Sequence, residues 1–81
     1  MQVGHFEDAI ENLSRAIALE PENAELHIDR GEAYRFAENT PSALRDFNRA
    51  LEIDPQSARA LAGRALALAK TASFEEAEAD L

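Results

Sequence analysis

His5, Asp8 and Glu11 follow one another at i, i+3 and i+6. On a helix that spacing brings an imidazole and two carboxylates toward one side, a donor set that could in principle gather a metal ion. Carboxylates crowd helix starts for a simpler reason, the positive end of the helix dipole, and that reading is preferred here. The second histidine, His27, belongs to a different helix and to no metal-ligand or nucleophile motif. Ser14, Ser42, Ser57 and Ser73 have no base and no glycine-rich elbow near them in sequence. There is no glycine-rich loop for phosphate and no cysteine for a thiolate, a disulfide or a zinc site. The sequence therefore predicts a non-catalytic chain, not an enzyme, with no metal and no cofactor.

The elements that would carry these residues are bounded first by size and charge. Eighty-one residues suffice for one domain, 46% apolar and 30% charged, the mix of a helix-rich globular chain. Eight basic residues against sixteen acidic ones leave a formal net charge of -8. Such a chain repels phosphate backbones and anionic lipid. Its arginines are scattered singly, with no interleaved aromatics, so nucleic acid is excluded as a partner. The most apolar window, 60–69, is broken by Arg64 and falls short of the roughly 18 residues a membrane span needs. The start shows neither a basic region nor an apolar run of a secretory signal, and a cytoplasmic setting is expected.

Along the chain the apolar residues keep helical spacing. Phe6, Ala9, Ile10, Leu13, Ala16 and Ile17 make one stripe, and Ala43, Leu44, Phe47, Ala50 and Leu51 make another. Pro21 and Pro55 close the helices before them, and Asn23 and Ser57 are placed to cap the helices after them. Thr40 before Pro41 reads as a further cap, and Ser73 with Glu76 has capping-box spacing. Five helices are predicted, near 4–19, 23–37, 41–53, 57–70 and 74–81. The short linkers between them require neighbours to pack antiparallel.

An offset of 34 residues superposes Ala9 on Ala43 and Ala77, Leu13 on Phe47 and Leu81, Ala16 on Ala50, Leu19 on Ile53, and Pro21 on Pro55. Phe6 and Phe74 stand two periods apart. The stretches HIDRGEAY and SALRDFNRALEIDP resemble the tetratricopeptide repeat, a 34-residue helix-turn-helix unit with the pattern W-x2-L-G-x2-Y, A-x3-F, P. Gly31, Tyr34, Ala43, Phe47 and Pro55 match it, whereas His27 stands at the tryptophan and Arg30 at the leucine position. The resemblance implies an all-α fold in which antiparallel helix pairs stack as an α-solenoid, with residues 1–22 the second helix of a first repeat. Residues 23–56 would be a complete repeat, and 57–81 the first helix and part of the second helix of a third. Small side chains at Gly31, Ala43 and Ala50 are expected where paired backbones approach closely. Tyr34, Phe47 and His27 are expected to pack between helices.

The resemblance also implies a scaffold that binds a protein or peptide partner in a groove lined by the first helix of each pair. That face is expected to carry Glu25, Ile28, Asp29, Glu32 and Phe36, then Arg59, Ala62, Gly63, Leu66 and Lys70. Glu25, Asp29 and Glu32, at i, i+4 and i+7, would either hold a basic or amphipathic segment or form a solvated face partly matched by Arg59. A chaperone-tail carboxylate clamp is not expected, because its asparagine, lysine and arginine would fall at Asp29, Arg59 and Gly63. Both ends of the array read as unfinished. They predict either continuation of a longer array or cover by another copy of the chain, and hence, as the alternative function, a structural homo-oligomer assembled through open ends.

Overall fold

A computed structural model describes the backbone of residues 3–79 and the side chains of residues 6–72. The described residues form four helices, α1 (Val3–Leu19), α2 (Ala24–Phe36), α3 (Thr40–Ile53) and α4 (Ala58–Ala79). Connections of three or four residues reverse the chain between them, so each helix packs antiparallel on the next. Helix α2 also lies against α4, giving a slab about 15 Å in its thinnest dimension. The all-α helix-pair stack expected from the sequence is what forms.

Local chemistry explains the boundaries. The Asn23 carboxamide oxygen accepts the Glu25 N–H at 3.1 Å, and the Ser57 hydroxyl accepts the Ala60 N–H at 3.2 Å. At α3 the cap is one residue earlier than the sequence suggests. Asn39 rather than Thr40 turns its oxygen to the Ser42 N–H, leaving Thr40 and Pro41 in the first turn. Helix α2 ends in paired bonds from Asn39 N–H to the Tyr34 carbonyl and from Glu38 N–H to that of Arg35. This closure needs a left-handed residue, and Glu38 takes it at φ 65°.

One boundary differs from the sequence expectation. The turn predicted at 71–73 is absent, and the fourth and fifth predicted helices are one continuous helix. The reason is local: Thr71, Ala72 and Ser73 include neither proline nor glycine, and the Thr71 hydroxyl donates back to the Ala67 carbonyl at 3.1 Å within the helix. The Ser73–Glu76 capping box and the period matches at Phe74, Ala77 and Leu81 concern side chains outside the described residues.

Phe47 is the centre of the core. It is fully buried with Ile28, Ala43, Ala50 and Ala60 around it, and Tyr34 and Leu51 pack against that cluster. Its ring rests on two glycines, one from each flanking helix. A β-carbon at Gly31 would lie 2.9 Å from the ring edge, and one at Gly63 would lie 2.5 Å from it. The small residue expected at Gly31 is therefore demanded by a ring filling the space between three helices, and Ala43 and Ala50 are wholly buried beside it. His27 is buried as a packing residue. Its Nε2 donates to the Pro21 carbonyl at 2.9 Å, tying α2 to the turn before it.

Candidate protein-binding face

Helices α2 and α4 start 34 residues apart, one period, and their exposed sides adjoin. The link between them is Arg59. Its guanidinium donates to Glu25 at 2.5 Å, Asp29 at 2.9 Å and Glu32 at 3.2 Å, gathering carboxylates spaced over two turns of α2. The hydrogen bond to Asp29, reinforced by the charges of Glu32, Asp29 and Glu25, holds the guanidinium above its ordinary pKa. All four side chains are more than a third exposed, so these are water-screened pairs rather than a buried cluster.

Apolar groups flank this patch. Phe36 and Leu66 are 58% and 54% exposed, and Ala62 is open to solvent beside them. The Phe36 ring stacks on Phe6 of α1 with centroids 6.2 Å apart, and the Arg35 guanidinium covers it at 4.7 Å. Lys70 stands 3.8 Å from Glu38 at the far end of the face. A cleft of about 380 Å³ lies there between Glu38, Thr40, Pro41, Lys70 and Thr71. Its one cation and one carboxylate face each other, and of its two threonines Thr71 already donates to the Ala67 carbonyl.

Eight of the ten residues expected on the face are on the surface; Ile28 and Gly63 are not. Ile28 is wholly buried in the core and Gly63 is buried under Phe47, so neither presents a side to a ligand. Both errors have one cause. Ile28 follows His27 around the helix into the contact with α3, and α4 is rotated so that Gly63, with Ala60 and Ala67, makes its inner edge.

A charged cluster that the sequence reading did not find sits behind the face. Arg30 donates through Nε and Nη2 to the two oxygens of Asp46, both at 2.8 Å, and through Nη1 to the Ser14 hydroxyl at 2.9 Å. Asp46 is nearly fully buried, and the Asp46 hydrogen bond holds the Arg30 pKa above its ordinary value against the cost of burial. The group pins α1, α2 and α3 together. Its available signal was Arg30 at a position where the pattern calls for leucine, with Ser14 and Asp46 each sixteen residues away. The motif recurs one repeat on, where Arg64 donates to Asn48 at 3.2 Å.

The remaining candidates for chemistry are placed without a site. Ser14 serves Arg30 and Ser57 caps α4. Glu11 pairs with Arg15 at 2.8 Å, and the His5 side chain lies outside the described residues. Among the described residues no group of three potential ligands is placed to hold a metal ion, and no helix is long and apolar enough to cross a membrane.

The family model for the tetratricopeptide repeat matches residues 1–57 and, overlapping these, 28–81. The chain belongs to the tetratricopeptide repeat family. It is 37% identical over 78 residues to a TPR repeat-containing thioredoxin TDX of Arabidopsis thaliana, covering 96% of this chain and 20% of that protein. It is 41% identical over 78 residues to a FAM10 family protein of the same plant, covering 96% of this chain and 18% of that one. A Protein SGT1 homolog of Oryza sativa subsp. japonica is 34% identical over 76 residues, covering 94% and 21%. The chain thus spans about a fifth of the length of these relatives.

Proposed function

We propose that the α2–α4 face is a non-catalytic docking surface for a basic or amphipathic segment of a protein partner. The observation that carries this reading is the imbalance around Arg59. Three carboxylates, Glu25, Asp29 and Glu32, meet one guanidinium, which leaves 3 - 1 = 2 negative charges uncompensated at the patch. Exposed Phe36 and Leu66 beside it offer apolar contact to the same segment. A cationic residue arriving at the patch gains charge complementarity without displacing Arg59. Residues 23–56 supply one complete repeat to this face and residues 57–81 supply the start of the next.

The same geometry disfavours an anionic ligand. Arg59 already faces three carboxylates, and an arginine cannot replace Gly63 while Phe47 occupies the space above it. A clamp for a terminal carboxylate therefore lacks one of its cations, at Gly63, and the other, Arg59, is already engaged by carboxylates.

The test is a titration of isotope-labelled chain with two synthetic helical peptides of matched length, one of lysine and leucine and one of glutamate and leucine. Amide shifts at Glu25, Asp29, Glu32 and Leu66 are expected with the cationic peptide alone. Affinity should fall steeply with salt. Glu32→Lys should weaken binding about ten-fold, the effect of about 1.4 kcal/mol. Equal response to both peptides, or shifts that spare this face, refutes the reading.

A further inference from the structure

Along both helices of the docking face, charge gives way to apolar surface at the same interval. On α2, Glu25, Asp29, Glu32 and Phe36 advance by steps of four, three and four and keep to one side of the helix, with Phe36 seven residues after Asp29. On α4, Leu66 stands seven residues after Arg59. Because α2 and α4 both run antiparallel to α3, they point the same way, and the two gradients are aligned rather than opposed. Seven residues of helix rise about 10 Å, which sets the separation of the acidic and apolar parts of the face. Between Arg59 and Leu66 the exposed residue is Ala62, too small to obstruct an approaching backbone.

The two ends of the face also differ in charge. At the start of α2 and α4, Arg59 is outnumbered by Glu25, Asp29 and Glu32. At the other end Lys70 reaches Glu38 only at 3.8 Å, and the Arg35 guanidinium lies over the Phe36 ring at 4.7 Å, its buried Nε donating to no group among the described residues. A ligand laid with its cation toward Phe36 would meet Arg35 and Lys70 beside Glu38, and would set its apolar group on hydrated carboxylates. The opposite sense pairs charge with charge and apolar surface with apolar surface.

The interval selects the secondary structure of the ligand as well. An extended chain advances about 3.3 Å per residue, so about 10 Å is about three residues, and residues three apart in a strand point to opposite faces. A helix covers the same distance in about seven residues, and side chains at i and i+7 share a face. We propose that the occupant of this face is a helix of a protein partner carrying a basic and a large apolar residue seven positions apart. Its basic end lies over Glu25, Asp29 and Glu32, and its apolar end over Leu66 and Phe36. The spacing holds for either chain direction of the partner helix. This rests on the docking reading above and adds to it a secondary structure, a register and an orientation.

The experiment titrates isotope-labelled full-length chain with two alanine-based helical peptides of identical composition, each with two lysines one turn apart. In the first peptide two leucines follow the lysines by seven residues. In the second they follow by nine, which turns them about 180° away from the lysines. Circular dichroism establishes that the two are equally helical. The first should bind about ten-fold more tightly, with amide shifts at Asp29 and Leu66. A spin label at its lysine end should broaden the Glu25 amide and spare that of Lys70. Leu66→Ser alters an exposed side chain and should weaken the first peptide about five-fold while leaving the second unchanged. Equal affinities with shifts on this face overturn the inference and leave the docking reading standing, as does a label that broadens Lys70 rather than Glu25. Failure of both peptides to shift this face refutes the docking reading, and the inference falls with it.

Discussion

The ring of Phe47 lies over the bare α-carbon of Gly63 so closely that a methyl group there would meet it at 2.5 Å. Two effects oppose each other in Gly63→Ala. Alanine favours the helix by about 1 kcal/mol. Forcing an extra carbon against a fully buried ring costs about 1–3 kcal/mol, and a ring enclosed by three helices has little room to retreat. A net loss of about 1–2 kcal/mol in urea denaturation is expected, with a smaller loss for Gly31→Ala, where the nearest approach is 2.9 Å. In the Phe47→Leu background Gly63→Ala should cost less than it does alone. Stabilisation by Gly63→Ala in the wild type would show the ring to be mobile.

The Arg30–Asp46 pair should respond unequally to removal of either end. Asp46 is 4% exposed at the side chain and Arg30 is 22%. Arg30→Ala abandons a carboxylate in the interior and should cost about 3–5 kcal/mol. Asp46→Ala leaves a cation that can still reach water, and should cost markedly less. For a chain whose whole stability is about 4–12 kcal/mol, the first variant loses about a quarter of it or more. Thermal melts followed by circular dichroism check the order; equal costs would mean that Asp46 finds water or another donor.

Which parts of this were legible in the sequence follows from the reach of each signal. Caps and helix ends come from residues two to four apart, and Asn23, Ser57 and the two prolines of the period were read correctly. The repeat itself, and with it the small positions under Phe47, came from comparing the chain with itself. The Arg30–Asp46 bond joins residues sixteen apart at a position where the family pattern is apolar, so neither local spacing nor the pattern pointed to it. Ile28 and Gly63 were misplaced for a related reason: a repeat position gives the helix but not how that helix is turned about its axis. The predicted break at 71–73 rested on the period and on the capping-box spacing of Ser73 and Glu76, with no residue there that ends a helix.

Glu38 is the one described residue other than glycine with a positive φ, and its left-handed backbone carries strain that glycine would relieve. Glu38→Gly should stabilise the chain by about 1 kcal/mol despite losing the long contact to Lys70. Denaturant midpoints decide this. An unchanged or lower midpoint would mean that the greater freedom of glycine in the unfolded chain outweighs the relief.

Arg59→Ala should separate stability from recognition. The lost pairs are exposed, so the fold should weaken by less than about 1 kcal/mol, and added salt should recover part of that by screening the remaining carboxylates. Affinity for a cationic peptide should rise about three- to ten-fold, because one competing cation is gone. Calorimetric titration measures it, and a fall in affinity would mean that Arg59 itself touches the ligand.

The two glycines beneath Phe47 lie 32 residues apart and come from different helices, α2 and α4. The boundary that the period draws near Pro55 thus passes through a filled core, and the units by which the sequence counts are not those by which the chain melts. Amide exchange should show α2, α3 and the first half of α4 opening together at one rate. A cut at the repeat boundary would leave each piece with half of a socket and only one of them with the ring.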